Sequence, residues 1–348
     1  MEALISSLQP QIVFPILHAS DVSAARRAGQ KLADTLGFAE VQAGRLAIVI
    51  TEAGTNILKH AGEGTLYIMR AQSGVDAPGI DVLAVDSGPG IRDIETSLRD
   101  GVSTAGTAGT GLGALCRQAD EFDVWTARDQ GAVFFMRLWN SPAPPAQSPE
   151  PCGIEVGALY VPLAGEDESG DGWAVSCNRD GATLLGVDGL GHGPEAHKAA
   201  AGAIAALERR PSATPSETLQ AAHEALRVTR GAALSVARID YAAGQLRFAG
   251  IGNVGGVVYD GESRRAMVSH NGIVGNNMRK VQEFTVDCPP GALVILHSDG
   301  IQTQWDLKAY QGLLARTPAI VAGILMRDFN RRRDDAMVLV GRRRGGHA

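Results

Sequence analysis

The sequence predicts two mixed α/β domains, and three observations support this division. A chain of 348 residues has the length of about two average domains. Residues 140–151 contain five prolines without apolar periodicity, which is typical of an extended spacer that could hold two domains up to roughly 35 to 40 Å apart. On both sides of this spacer, apolar runs of strand length occur together with helical patterns. We therefore expect domains at residues 1–139 and 153–348, joined by a linker at residues 140–152.

Composition excludes several classes of function. Apolar residues make up 45% and charged residues 20% of the chain, which is ordinary for a soluble globular protein. The net charge of -6 argues against a surface for nucleic acid, and no apolar run approaches the roughly 18 residues that span a bilayer. Glu2 stands where a secretion signal would be basic. We expect a cytoplasmic protein with no nucleic-acid partner and no membrane partner.

The four cysteines lie far apart in the sequence and form no C-x-x-C pair. This spacing predicts neither a zinc site nor a disulfide framework. It agrees with a reducing compartment, where thiols stay free.

The first domain should begin with a short strand over residues 11–17, followed by two helices. Asp21 can cap the first helix, which ends at Gly37. The second helix has a buried stripe of apolar residues at helical spacing, namely Leu46, Val49, Ile50, Ala53 and Ile57. Glu52 and Asn56 lie one turn apart on the adjacent face, so the helix presents a carboxylate and an amide together. On its own, this pair would be an ordinary exposed polar face.

Two glycine motifs favour a nucleotide site instead. A buried-strand pattern over residues 82–85 ends in Asp86, and the chain continues through Ser87 to Ile91 with two glycines. Glycines let the backbone approach a flat ligand, and Asp86 can accept a hydrogen bond from an exocyclic amine. Residues 106–113 then form a glycine-rich loop before a helix predicted at residues 114–119, an arrangement that suits phosphate oxygens.

These pieces, in this order and spacing, resemble the histidine-kinase-like (GHKL) ATPase superfamily. Over about residues 10–139, the first domain is similar to the stressosome switch kinases of the RsbT type, most clearly in residues 20–38, 51–65 and 98–106. The resemblance implies an α/β sandwich with helices on one face of a mixed sheet. It also implies ATP with Mg²⁺ as the cofactor and serine/threonine kinase activity.

The same resemblance implies roles for individual residues. Asn56 would bind the Mg²⁺ that bridges the ATP phosphates, Glu52 would orient or deprotonate the attacking hydroxyl, and Asp86 would read adenine. The remaining positions are glycines, with Gly88 and Gly90 shaping the pocket and Gly109, Gly111 and Gly113 forming a lid over the phosphates. Enzymes that only hydrolyse ATP use the same residues, so a kinase and an ATP-responsive binding module both stay open at this point.

The second domain is organised around a strand that ends in an aspartate. The apolar run over residues 184–187 stops at Asp188, and three glycines follow within Gly189–Gly193. The preceding strand, residues 173–176, is predicted to pair with it around a short turn, and Asp171 stands before that strand. Because the open ends of a hairpin lie together, both carboxylates could face one metal ion.

Helices and antiparallel strands follow this hairpin. Helices are predicted at residues 194–209 and 216–229, the second preceded by a capping box of Thr214 and Glu217. Four further strands have the spacing of an antiparallel meander, at residues 233–239, 245–249, 254–259 and 266–269.

Two more aspartates occur at strand ends. A buried run leads to Asp299, and a strand predicted at residues 336–340 follows Asp334 and Asp335. Asp188, Asp299 and Asp334 at strand ends of one sheet could hold two Mg²⁺ or Mn²⁺ ions, since oxygen ligands without clustered His or Cys favour these metals. A water bridging the ions would then be the nucleophile. A slip of one residue would put Asp335 in the place of Asp334.

Over about residues 153–341, these motifs resemble the SpoIIE-type branch of the metal-dependent type 2C (PPM) protein phosphatases, nearest to its small RsbX-type stressosome member. The resemblance rests on residues 169–171, 188–193, 229–233, 250–253, 271–275, 298–300 and 334–335. It implies an α-β-β-α sandwich that hydrolyses phosphoserine or phosphothreonine.

The phosphatase resemblance also implies a set of metal ligands. They are Asp188 as the bridge between two Mg²⁺ or Mn²⁺ ions, the Gly189 carbonyl in one site, and Asp299 and Asp334 in the other. Asp171 would hold metal-bound water. His192 stands where an acid could protonate the leaving serine, but we expect it to serve in the turn or to support the ligands.

Together the two resemblances imply a bifunctional regulator that acts on a STAS-type antagonist or scaffold protein in a partner-switching stress-response pathway. The output would be a sigma factor or a second messenger, with a downstream phosphatase or output enzyme as a further partner. Because unrestrained action of both activities on one serine would waste ATP, we expect partner binding or the linker to bias one activity at a time. The alternative is a phosphatase whose first domain binds ATP and a partner without transferring phosphate. A purely structural scaffold would explain neither set of motifs.

Overall fold

The computed structural model describes most of the chain, namely residues 3–9, 11–73, 77–94, 111–141, 152–260, 262–279 and 281–345. These residues form six α-helices and three β-sheets. Within these ranges, none of the helices combines the length and the apolar character that a membrane span requires.

The N-terminal domain is a five-stranded sheet covered on one face by three helices. Its strands are β2 (Gln11–Ile16), β3 (Gly64–Arg70), β4 (Gly79–Asp86), β5 (Glu121–Thr126) and β6 (Ala132–Trp139). Its helices are α1 (Ala19–Thr35), α2 (Glu40–Asn56) and α3 (Gly111–Gln118). The strands lie in the order β2-β3-β4-β6-β5, and each neighbouring pair is antiparallel where a mixed sheet was expected.

The buried stripe predicted for α2 is confirmed. Its members all pack into the core between the helices and the sheet: Leu46, Val49, Ile50, Ala53 and Ile57. Burying a Leu, Val or Ile side chain contributes roughly 1.5–3 kcal/mol, so this stripe holds α2 firmly on the sheet. Beyond Asn56, the helix continues into a π-helical turn at Ile57–Ala61.

The C-terminal domain is a sandwich of two antiparallel sheets between helices, which confirms the predicted α-β-β-α architecture. The strands from Ile154 onward are β7 (Ile154–Val161), β8 (Asp171–Cys177), β9 (Gly181–Gly189), β10 (Ala232–Asp240), β11 (Gln245–Ile251), β12 (Gly255–Tyr259), β13 (Arg264–Met267), β14 (Phe284–Asp287), β15 (Leu293–His297) and β16 (Ala336–Arg343). The helices are α4 (Pro194–Arg209), α5 (Pro215–Leu226) and α6 (Pro318–Phe329). Helices α4 and α5 cover one sheet, and α6 covers the other.

The predicted meander is wrong in one respect. β10 and β11 pair in the sheet that contains β9, whereas β12 and β13 pair in the opposite sheet with β15, β16 and β7. The chain crosses between the sheets at Gly252, whose φ of 94° lies in the region that glycine adopts without strain. Alternating hydrophobicity indicates that a strand has one buried face, but it does not indicate which sheet contains the strand.

The first strand of the chain, β1 (Ala3–Ser6), belongs to the sheet of the C-terminal domain. It pairs antiparallel with β8, with Ala3 opposite Cys177 and Ser6 opposite Ala174. Without β1, strand β8 would present unpaired backbone N–H and C=O groups at the edge of the sheet. The predicted division into residues 1–139 and 153–348 did not anticipate this exchange.

The expectation that all cysteines are free is wrong for one pair. Cys152 and Cys177 form a disulfide, with their Cα atoms 5.2 Å apart and a separation of 25 positions in sequence. The start of β7 and the end of β8 meet in the core between the two sheets, a proximity that the spacing in the sequence does not reveal. Cys116 and Cys288 are free, the first exposed and the second buried.

The two domains share one apolar core, and helix α6 lies at its centre. The outer face of the N-terminal sheet, including Tyr67, Leu83 and Phe135, packs in the same cluster as Ile320 and Ile324 of α6. The domains are therefore in direct contact, and the reach of the proline-rich linker does not keep them apart.

Polar contacts add specificity to this interface. The Gln72 amide accepts a hydrogen bond from Ala158 N–H and donates one to Ala158 O, at 2.6 and 2.7 Å, so it pairs with the edge strand β7 as another strand would. The Asp123 carboxylate accepts hydrogen bonds from Arg316 at 3.1 Å and from the backbone N–H of Thr317 at 2.7 Å. These contacts fix the start of α6 against the N-terminal sheet.

Replacing Gly323 by leucine should force the domains apart. Even a Cβ atom at Gly323 would lie 3.0 Å from the Leu83 side chain and 3.1 Å from that of Val133. We expect a loss of about 1–3 kcal/mol in the free energy of unfolding and a larger radius of gyration. Chemical unfolding and small-angle X-ray scattering measure the two quantities. Gly323→Ala adds only the Cβ atom and should have a smaller effect on both quantities, and a leucine variant with wild-type values for both would contradict the shared core.

Candidate nucleotide and metal sites

The candidate nucleotide site lies at the C-terminal end of α2. Glu52 and Asn56 are both half-buried and one turn apart. The side-chain nitrogen of Asn56 is buried and has no hydrogen-bond partner within the described residues. Leaving a buried polar group unpaired costs about 1–3 kcal/mol, so this amide fits a site that a polar ligand completes. An Asn side chain offers a carbonyl oxygen to a cation such as Mg²⁺ and an N–H₂ group to phosphate oxygens.

Asp86 ends β4 at the same side of the sheet. Its Oδ1 accepts a hydrogen bond from the backbone N–H of Gly88 at 2.9 Å. Burial raises the pKa of Asp86, while hydrogen bonds from Gly88 and Ala132 and the nearby charge of Arg327 act in the opposite direction. The carboxylate is thus partly desolvated and has room for a further donor.

The two glycines that follow Asp86 occupy positions where a side chain would not fit. A Cβ at Gly88 would lie 2.7 Å from the Cβ of Ala61, at the end of the π-helical turn. Gly90 has a φ of 70°, and a Cβ there would lie 2.0 Å from the carbonyl oxygen of Ala127. The backbone therefore passes close to its neighbours at both points, as a tight pocket wall requires.

The predicted lid is only partly within the described residues. Gly109 lies outside them, as do residues 95–110 generally. Gly111 and Gly113 form the first turn of α3, so this helix begins three residues before its predicted start at residue 114. Leu115 of α3 is buried in the core that also contains α2.

The predicted hairpin of β8 and β9 is present, and it carries two of the candidate metal ligands. Asp171 and Asp188 are direct cross-strand partners at its open end. Asp171 is buried, and its Oδ2 atom has no hydrogen-bond partner in the part of the chain that the structure describes. Burial and the charge of Asp188 raise the pKa of Asp171 well above its ordinary value. Two carboxylates in this position repel each other unless a proton or a cation lies between them.

Asp299 and Asp334 approach this hairpin from the opposite sheet. Asp299 follows β15 and Asp334 precedes β16, so the expectation that the three strand-end aspartates belong to one sheet is wrong. They meet Asp188 at one edge of the sandwich. Burial, followed by the charges of Asp299, Asp334 and Asp335, raises the pKa of Asp188 to about 7.

Asp334 and Asp335 have different surroundings. Asp335 is buried, and its two carboxylate oxygens accept hydrogen bonds from the backbone N–H groups of Leu163 and Gly170, both at 2.7 Å. Asp334 is exposed, and its Oδ1 accepts one hydrogen bond, from the N–H of Asp335 at 2.9 Å. Asp335 therefore holds the loop before β8, while Asp334 keeps the more open carboxylate.

Three further side chains belong to this site although the sequence analysis assigned none of them a role. The Asn253 amide donates to Asp299 Oδ2 at 2.7 Å. The Ser298 hydroxyl accepts a hydrogen bond from Met337 N–H at 2.9 Å. It also interacts with the Asp171 carboxylate and opposes the rise in the pKa of that group. Glu166 Oε1 lies 2.6 Å from His192 Nδ1. Asn253 and Ser298 lie in two of the motifs that carry the phosphatase resemblance, and this is the signal that could have assigned them a role.

The donor set at this edge suits hard divalent cations. Its oxygens come from carboxylates that repel one another, and one buried oxygen of Asp171 has no partner among the residues described. Among the described residues, no group of three or more His, Cys, Asp or Glu side chains is arranged so that it could hold a metal ion by itself. Mg²⁺ keeps several waters and needs only a few protein carboxylates, so an open cluster of this kind fits it.

Comparisons with known proteins match both halves of the chain. Residues 16–138 match the family described as histidine kinase-like ATPase domain. Residues 179–344 match the family described as stage II sporulation protein E, SpoIIE. The serine/threonine-protein kinase RsbT of Bacillus subtilis (strain 168) is 38% identical over 120 residues, which are 34% of this chain and 89% of that protein.

Solved structures also resemble parts of the chain. One comes from the bacterial stressosome, described as a modular system adapted to control secondary messenger signaling. It is 32% identical with a TM-score of 0.51, and the match covers 54% of this chain and 99% of that one. RsbX in complex with magnesium is 20% identical with a TM-score of 0.49, over 54% of this chain and 94% of that one. Because nearly all of RsbT is matched and the SpoIIE match follows it, the chain belongs to the RsbT-type serine/threonine kinases and carries in addition a SpoIIE-type protein phosphatase domain.

Proposed function

We propose that this protein phosphorylates and dephosphorylates serine or threonine on a STAS-type antagonist or scaffold protein, in a partner-switching pathway. The observation that supports this most is that an RsbT-like half and a SpoIIE-like half share one core on a single chain. Because ATP is the phosphoryl donor, we place the protein in the cytoplasm. A downstream phosphatase or output enzyme would be a further partner.

In the N-terminal domain, phosphoryl transfer would depend on two side chains of α2. Glu52 would orient the hydroxyl of the partner protein and accept its proton, and Asn56 would hold Mg²⁺ through its amide oxygen. Asp86 would accept a hydrogen bond from the adenine amine. Mg²⁺ supplies charge neutralisation at the phosphates when it is bound with ATP. Positioned side chains and backbone donors are sufficient for this reaction.

In the C-terminal domain, the proposed ligands of two Mg²⁺ or Mn²⁺ ions are Asp188 as the shared ligand, the Gly189 carbonyl, Asp299 and Asp334. Such ions, when bound, supply Lewis acidity toward the phosphate and lower the pKa of water. Asp171, with its unpartnered oxygen, would orient a water at the site. Asn253 would keep Asp299 in position, and His192, paired with Glu166, would support the loop after Asp188.

A second candidate function is a phosphatase whose N-terminal domain senses ATP without transferring phosphate. The direct packing of the N-terminal sheet on α6 favours this alternative, because it gives nucleotide binding a route to the phosphatase domain. In either case, the contact between the domains would allow the state of the ATP-binding domain to influence the phosphatase domain, so that one activity is favoured at a time.

Glu52→Ala should abolish kinase activity and leave ATP binding intact. We expect at least about a hundredfold slower transfer from labelled ATP to a STAS-domain protein, since a general base contributes about 10²–10⁴-fold. Glu40→Ala, which removes the other carboxylate of α2, should transfer phosphate at the wild-type rate. Undiminished transfer by Glu52→Ala would refute the proposed role of Glu52, and no transfer by the wild type would favour the ATP-sensing alternative.

Asp188→Asn should abolish Mn²⁺-dependent release of phosphate from the phosphorylated STAS protein. We expect a loss of at least about a hundredfold, because several kcal/mol of transition-state stabilisation depend on the ions that Asp188 would share. Asp180→Asn, at the turn of the same hairpin, is the matched control. Wild-type turnover by the Asp188 variant would refute the proposed metal centre.

Substitutions of Asp334 and Asp335 should have different effects. Asp335→Asn places an N–H₂ group against one of two backbone donors, so the metal-free protein should lose about 1–3 kcal/mol of stability. Asp334→Asn should instead weaken Mn²⁺ binding and leave the metal-free unfolding curve close to that of the wild type. Isothermal titration with Mn²⁺ and chemical unfolding test both statements. The reverse pattern would identify Asp335 as the ligand.

A further inference from the structure

Helix α6 of the phosphatase domain reaches the candidate nucleotide site. Arg327, in its last turn, donates a hydrogen bond from Nη1 to the backbone carbonyl of Asp86 at 2.7 Å. Asp86 is the last residue of β4, and its carboxylate is the group proposed to recognise adenine. A charged donor from one domain thus holds the strand end that carries a ligand group in the other.

The Arg327 side chain is fixed on several sides. Its Nε and Nη2 atoms donate to the two carboxylate oxygens of Asp328 at 2.7 and 2.8 Å. The Tyr310 hydroxyl donates to the same carboxylate at 2.9 Å. The guanidinium also lies 5.9 Å from the centre of the Trp125 ring, and only 9% of the side chain is exposed. A guanidinium held in this way is a preorganised donor, unlike a mobile surface charge.

The chain that follows α6 leads to the candidate metal site. The carbonyl of Phe329 accepts a hydrogen bond from Gln302 N–H at 2.8 Å, and Arg331 N–H donates to the carbonyl of Gly300 at 2.8 Å. Asn330 and Ile301 form an isolated β-bridge between these contacts. The chain at the end of α6 is therefore hydrogen-bonded to the segment directly after Asp299. Arg331, which makes one of these bonds, is three residues before Asp334 in sequence.

We propose that Arg327 is a positioning residue of the nucleotide site, and that the phosphatase domain completes this site in the same chain. By holding the Asp86 carbonyl, Arg327 keeps the end of β4 in the orientation in which the Asp86 carboxylate meets adenine. This inference rests on the proposed adenine-binding role of Asp86. Coupling between two binding equilibria is the same in both directions. If the contact of Arg327 strengthens nucleotide binding, bound nucleotide therefore stabilises the position of α6 beside the metal ligands by the same free energy.

A purely adhesive role for Arg327 makes a different prediction. The Arg316–Asp123 pair, at 3.1 Å, joins the same two domains next to the start of α6, at the opposite end of this helix from Arg327. If Arg327 served only to hold the domains together, the loss of either arginine would affect nucleotide affinity alike. Arg316→Ala is therefore the matched control.

The first test measures the affinity of the full-length protein for a non-hydrolysable ATP analogue with Mg²⁺ by isothermal titration. Arg327→Ala should bind about tenfold more weakly, the usual effect of losing a hydrogen bond from a charged donor. Arg327→Lys, which keeps the charge but loses the fork geometry, should lie between this value and that of the wild type. Arg316→Ala should match the wild type. Thermal unfolding of each variant separates weak binding from misfolding.

The second test measures coupling, which a merely structural contact would not transmit. Turnover of para-nitrophenyl phosphate is followed at saturating Mn²⁺ with and without the analogue. The analogue should change kcat/KM by about fivefold in the wild type and in Arg316→Ala, and should have no effect in Arg327→Ala at concentrations that saturate this variant.

Three outcomes would overturn the proposal. Equal affinity of Arg327→Ala and the wild type would remove the positioning role, and equal losses in Arg327→Ala and Arg316→Ala would reduce it to adhesion. Absence of binding in every protein, the wild type included, would instead refute the nucleotide site on which the inference rests. The three patterns are distinct in a single titration series.

Discussion

Helix α6 is apolar on every side from Pro318 to Met326, and a β-sheet lies on each side of this part of the helix. Its buried residues include Ile320, Val321, Ile324 and Leu325, which pack between the outer face of the N-terminal sheet and the outer face of the C-terminal sheet. A helix without a polar face is stable only when it is enclosed. Without the N-terminal domain, one of these faces would be open to water. The phosphatase sandwich and the ATP-binding domain therefore depend on each other for a complete core.

The second constraint is the negative charge of the aspartates at one edge of the C-terminal sandwich. Five aspartates gather at the edge of the sandwich, and burial, followed by the charges of Asp299, Asp334 and Asp335, raises the pKa of Asp188 to about 7. Asp335 escapes this repulsion in part because two backbone N–H groups bind it, and the same bonds hold the loop before β8. One carboxylate thus stabilises the local structure. The repulsion among the others would be relieved by bound cations.

The sequence predicted what local patterns encode. Helix α4 has the predicted limits, the capping box of Thr214 and Glu217 is present, and Asp171 and Asp188 face each other because a short turn sets the register of their hairpin. Contacts between distant segments were not predictable in this way. Three features depend on which apolar faces meet in the folded protein. They are the assignment of β12 to its sheet, the disulfide of Cys152, and the core shared by the two domains. The sequence did contain one indication that α6 is enclosed on all sides, because the run from Pro318 to Met326 has no polar residue.

The pairing of β1 with β8 changes the description of the chain as two domains in tandem. The strand before the ATP-binding domain and the strand after it, β1 and β7, both belong to the phosphatase sandwich. The ATP-binding domain is thus nested within its neighbour and attached at both ends. Two attachments restrict it to hinge-like displacements, whereas a single tether would allow it to swing freely. A single cut in the proline-rich segment would leave the halves held together by a strand.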